Sequence, residues 1–122
     1  MMSQGAAVSV RLPPPLNAMY RPNFGGRKGV QKTQECKDWE EELQWIWKSK
    51  GFEMIPKDYA VWMDIVIKYG SHERDIDSSL KATLDCLQGY AYENDRQITE
   101  LHISKSKNKG DEGLTIYVWK LG

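Results

Sequence analysis

An α+β fold, with two helices on a single small mixed sheet, is predicted by this sequence, and three observations carry that prediction. Apolar residues alternate at every second position near both ends of the chain and in its centre, the period of half-buried strands. Two intervening segments instead repeat apolar residues every three or four positions, as amphipathic helices do. A chain of 122 residues lies near the commonest domain length, so residues 1–122 are expected to form one domain around one core, with no room for two catalytic domains.

Taken in order, Val8, Val10 and Leu12 alternate with Ala7, Ser9 and Arg11, predicting a strand over 7–12 that Pro13, Pro14 and Pro15 end. Residues 16–32 are rich in Gly, Asn and Pro and read as a basic loop. In 33–50, Cys36, Trp39, Leu43, Ile46 and Trp47 mark the buried stripe of a long helix, with Gly51 as its stop. Residues 59–69 form a strand with Val61, Met63, Ile65, Ile67 and Tyr69 on one face and Asp64 and Lys68 on the other. A second helix of about three turns starts at a cap on Asp77 or Ser78, buries Leu80, Leu84 and Leu87, and ends near Gly89. Strands at 98–105 and 114–121, joined by the turn-forming "SKNKGDEG", complete the order β-α-β-α-β-β.

Seventeen basic and seventeen acidic residues give zero net charge, which excludes a partner held by bulk charge alone. Cys36 and Cys86 stand far apart without zinc-ligand spacing, the pattern of a reduced intracellular protein. The chain start lacks a basic and apolar leader, and no apolar run approaches the ~20 residues that cross a bilayer. A cytoplasmic protein with no membrane partner is expected. Neither internal repeats nor heptads are present, so a solenoid or coiled coil is not expected.

The stretch "RDIDSSLKATLD", residues 74–85, crowds Asp75 and Asp77 together and sets Lys81 four positions later. Two readings fit this spacing. In one, an aspartate caps the helix and Lys81 makes a surface ion pair with Asp77 or Asp85. In the other, Asp75 and Asp77 supply hard oxygen ligands to Mg²⁺ at the helix start, while Lys81, one turn above, holds a phosphate oxygen. Asp95 is the natural third carboxylate. A helix of about eleven residues rises ~16 Å, and the seven steps from Gln88 to Asp95 span up to ~24 Å, so the chain can return to the cluster.

Residues from Arg74 onward resemble the RusA family of Holliday junction resolvases, small endonucleases of bacteria and their prophages. The family motif, Arg-Asp-x-Asp-Asn before a helix with a lysine, is matched by Arg74, Asp75, Asp77 and Lys81, with Ser78 where the family usually has Asn. "YENDRQI" is similar to a second family block and maps the third catalytic aspartate onto Asp95, with Asn94 where some members have another acid. "NAMYR" resembles a third, placing Asn17, Tyr20 and Arg21 after the prolines. The resemblance implies a homodimer and a Mg²⁺-dependent nuclease that resolves four-way DNA junctions by paired symmetric nicks, in DNA recombination and repair, leaving 5′-phosphates. Asp75, Asp77 and Asp95 would bind metal, Lys81 would stabilise phosphate charge, and Arg74 would join the DNA contacts. A catalytically silent junction-binding module of the same fold is the alternative.

Arg21, Arg27, Lys28 and Lys32, interleaved with Tyr20 and Phe24, suit a phosphate backbone with aromatic stacking, although a solvated loop would look the same. Lys105, Lys107 and Lys109 are either a second phosphate contact or a charged turn. Glu73 is an auxiliary ligand candidate, His72 reads as a loop histidine and His102 as a strand residue. The five tryptophans are assigned to the core or a subunit interface.

Overall fold

The computed structural model describes residues 5–22 and 30–122. Its main sheet contains β1 (Gly5–Val10), β4 (Ala60–Tyr69), β5 (Ile98–Lys107) and β6 (Gly113–Leu121), in the order β1-β6-β4-β5. β4 pairs in parallel with β5 and antiparallel with β6, and β6 pairs antiparallel with β1, so the sheet is mixed as expected. Helix α2 (Gln34–Ser49) connects β1 to β4, and α3 (Leu80–Leu87) connects β4 to β5. Both crossovers step the same way along the sheet, and crossovers of one hand then put both helices on one face.

That face is the core. Val61, Met63, Ile65 and Ile67 of β4 are buried with Leu114, Ile116 and Val118 of β6 and Val8 and Val10 of β1. α2 lowers Cys36, Trp39, Leu43 and Trp47 onto them. Thr33 caps α2 by accepting from the Cys36 N–H at 3.3 Å, and Gly51 leaves the helix at φ +71°, where a side chain would be strained. Of the five tryptophans, only Trp39 and Trp47 are buried. Trp62 and Trp119 pack edge to face at 4.5 Å on the opposite side of the sheet, and Trp45 is 71% exposed, so three of the five lie outside the core.

Four further expectations change. Residues 16–32 are not simply a loop: a short helix α1 (Leu16–Met19) precedes a hairpin of β2 (Tyr20–Pro22) and β3 (Val30–Lys32), antiparallel to each other. Thr33 ties its base, donating its hydroxyl to Ala18 O at 2.6 Å and its N–H to Met19 O at 2.9 Å. The first strand runs two residues earlier than predicted, leaving Leu12 outside it. Helix α3 has eight residues, about two turns, and its fully buried side chains are Ala82, Thr83, Cys86 and Leu87, with Leu80 and Leu84 only partly covered. Small residues win that face because α3 also packs closely on α2, where Gln44 Nε2 donates to Cys86 O at 3.1 Å and Cys86 Sγ to Glu40 O at 3.3 Å. Finally, β5 and β6 are not a hairpin. They flank β4, and the turn between them passes over its end, with Asn108 N–H on Tyr69 O at 2.8 Å and Lys68 on Asp111 at 3.0 Å.

Candidate active site

Gly70 ends β4 at a buried point where an added Cβ would collide with the Glu112 side chain. The chain then enters the acidic loop. Ser78 N–H donates to Asp75 O at 3.0 Å and Leu80 N–H to Asp77 O at 3.1 Å, turning the backbone into α3. Ser79 occupies the N-cap position, and no side chain caps the helix there. The expected cap on Asp77 or Ser78 is therefore not formed, and Asp77 is not committed to the role that the capping reading gave it. Asp75 and Asp77 are both exposed, and none of the five ion pairs among the described residues contains Asp75, Asp77 or Asp95.

Lys81 does make a surface pair, with Asp85 at 2.9 Å rather than with Asp77. The hydrogen bond and then the charge of Asp85 raise the ammonium above its ordinary pKa, with smaller contributions from Tyr20 and Asp95. The return of Asp95 toward the cluster is a matter of path length along α3. The shortened helix rises only ~12 Å, which eases that return.

The loop is held from outside at its first residue. Arg74 Nη1 donates to Pro13 O at 2.8 Å, which turns this guanidinium toward the proline run. Lys105, on β5 opposite Ile67, donates Nζ to Arg74 O at 2.9 Å. Its ammonium also lies 3.9 Å from Glu73, which accepts from the Tyr69 hydroxyl at 3.1 Å and thereby raises that phenol's pKa. The sequence leaves Lys105 open between a phosphate contact and a charged turn, because the register that sets β5 beside β4 is non-local.

Asp95 opens a 3₁₀ turn (Asp95–Gln97) capped by Asn94, whose side chain accepts from Arg96 N–H at 2.9 Å. Asp95's own N–H donates to Gln88 Oε1 at 3.0 Å. Beneath it Gln97 is buried, and its Oε1 accepts from both Glu93 and Asn94 N–H at 2.9 Å. Gln97 lies in the "YENDRQI" block, but its burial was not legible, because a glutamine in a polar run looks solvated.

The residues assigned to DNA divide. Arg21 is exposed on β2. Tyr20 is partly buried, its hydroxyl has no hydrogen-bond partner among the described residues, and burial first raises its pKa. Lys32 pairs with Glu40 at 3.0 Å; burial alone would lower its pKa, but the bond and charge of Glu40 carry it above the ordinary value. Asn17 lies in α1, while Arg27 and Lys28 fall outside the described residues.

Oxygen donors that are exposed and unpaired suit a hard, partly hydrated cation such as Mg²⁺. Among the described residues no group of three or more His, Cys, Asp or Glu side chains is gathered closely enough to hold a metal. The donors fit in kind, because Mg²⁺ is usually held by only one or two protein carboxylates and keeps several waters.

The family model for endodeoxyribonuclease RusA matches residues 13–118. A crossover junction endodeoxyribonuclease RusA of Aquifex aeolicus (strain VF5) is 32% identical over 110 residues, covering 88% of this chain and 85% of that protein.

Proposed function

Because this chain belongs to the RusA family of endodeoxyribonucleases, we propose that it is a Mg²⁺-dependent nuclease that cuts branched DNA at four-way junctions, acting as a homodimer. Asp75 and Asp77 hold the ion, and Asp95 completes the set from the far end of α3. When bound, Mg²⁺ lowers the pKa of water and offsets charge on the phosphate. Lys81 stabilises that phosphate. Its present partner does not prevent this, because an exposed i,i+4 pair is worth only ~0.3–0.5 kcal/mol and yields readily to an anion. Arg21 and the neighbouring Arg27 and Lys28 follow the backbone of the DNA arms.

The observation that carries the reading is the pair Asp75 and Asp77, exposed, without an ion pair among the described residues and free of helix capping at the start of the helix that bears Lys81. Two copies suit a substrate of near two-fold symmetry. No helix among the described residues is long and apolar enough to cross a membrane, and Cys36 and Cys86 are free buried thiols, which agrees with a cytoplasmic setting.

The test is incubation of a four-way junction with wild type and Asp75→Asn in Mg²⁺. Paired symmetric nicks from wild type, reduced at least ~100-fold in the variant, are expected, since even outer contacts of a metal site cost 10–100-fold. Junction binding without cleavage by wild type would instead identify a silent binding module.

A further inference from the structure

The turn at Asp95 is wrapped by neutral amides. Gln97 Oε1 takes the N–H groups of Glu93 and Asn94, Gln88 Oε1 takes that of Asp95, and Asn94 Oδ1 takes that of Arg96. The Gln97 N–H closes the series on Asn94 O at 3.0 Å. Five successive peptide N–H groups are thus satisfied, four of them by side chains, in a stretch too irregular for a ladder to serve them.

Gln97 does more than accept. Its Nε2 donates to Pro56 O at 2.8 Å and Tyr59 O at 2.9 Å, with a longer bond to Ile55 O at 3.4 Å. One buried side chain therefore binds the Asp95 turn to the segment that leads into β4, the central strand on which the Asp75 loop also depends. Gln88 fixes the same turn to the C-terminal end of α3, the helix that carries Lys81. Every polar atom of the Gln97 amide is occupied, the condition under which a buried polar group stiffens its surroundings.

The chemistry of these acceptors points to a purpose. Carboxylates would accept the same N–H groups, and Asp and Glu are abundant in the chain, but each would add negative charge beside Asp95 and would forfeit the donors that reach Ile55, Pro56 and Tyr59. Amides hold the backbone without altering the charge of the site.

We infer that Gln97, with Gln88, is a positioning residue that sets Asp95 for the metal, an inference that rests on the proposed role of Asp95. Calorimetric titration with Mg²⁺, at a temperature where circular dichroism shows each variant folded, is paired with junction binding in EDTA. Gln97→Met is expected to weaken Mg²⁺ affinity 10–100-fold while junction affinity stays within about twofold. Gln88→Leu, at an exposed position, loses severalfold. Wild-type Mg²⁺ affinity in Gln97→Met overturns the inference. If Gln97→Met does not fold, Gln88→Leu decides it, and an unchanged affinity there overturns it equally. Asp95→Asn separates the two claims: wild-type Mg²⁺ affinity and cleavage in that variant would sink the role of Asp95 itself, whereas loss there with no effect in the glutamine variants would sink only the bracket.

Discussion

At Asp95 a succession of peptide N–H groups is taken up by amide side chains, one of them buried and bonded to a second segment. The loop at Asp75 and Asp77 has two backbone turns and two long-range ties, both made by Arg74, with its acidic side chains exposed. Bonds to distant segments tie the first region, while the acidic side chains of the second stand in solvent. The difference teaches how like charges can sit on a stable domain: one carboxylate is carried on a turn tied to two other segments, and two others stand on an exposed loop where solvent screens their repulsion.

The largest effect that would sharpen this contrast is on stability. Gln97→Met removes a network of buried hydrogen bonds at ~0.5–1.5 kcal/mol each, so urea denaturation in EDTA is expected to show a loss of about 3 kcal/mol. Asp75→Asn, by removing a repulsive surface charge, should change stability by no more than ~0.5 kcal/mol. Equal losses in both would erase the distinction between the two regions.

A smaller effect concerns Lys105. As a tie on the Arg74 carbonyl, Lys105→Met should slow cleavage about tenfold, with junction affinity and its salt dependence retained. Were Lys105 a phosphate contact, affinity would fall and the salt slope would drop by ~0.9. The two roles separate cleanly in a salt titration.

Much of the scaffold was legible because its signals are local. The alternation from Val61 to Ile67 places β4 within one residue, and the stripe from Cys36 to Trp47 places α2. Elements set by distant partners were not legible. The three-residue strands of the hairpin are too short to show a period, and the separation of β5 from β6 depends on β4 inserting between them. The buried face of α3 went to Ala82, Thr83 and Cys86 in place of Leu80 and Leu84, because closeness to α2 outweighs hydrophobicity there.

The site divides in the same way. Asp75, Asp77 and Lys81 are contiguous enough for their spacing to raise a metal reading, which left helix capping as a rival; the structure removes the cap and keeps only the Lys81–Asp85 pair. The ties made by Arg74 and Lys105 were not legible because their partners, Pro13 O and Arg74 O, lie far off in sequence. Asn94, which departs from acidic relatives, has a local reason as the cap of the Asp95 turn.

The central claim is that Asp75, Asp77 and Asp95 share one divalent ion. Crystals soaked in Mn²⁺, a scatterer that substitutes for Mg²⁺ at oxygen sites, test it most directly through anomalous difference density. A peak bounded by oxygens of all three carboxylates is expected, lost in Asp75→Asn. A peak elsewhere with none beside Asp75 and Asp77, or one that persists unchanged in Asp75→Asn, would contradict it.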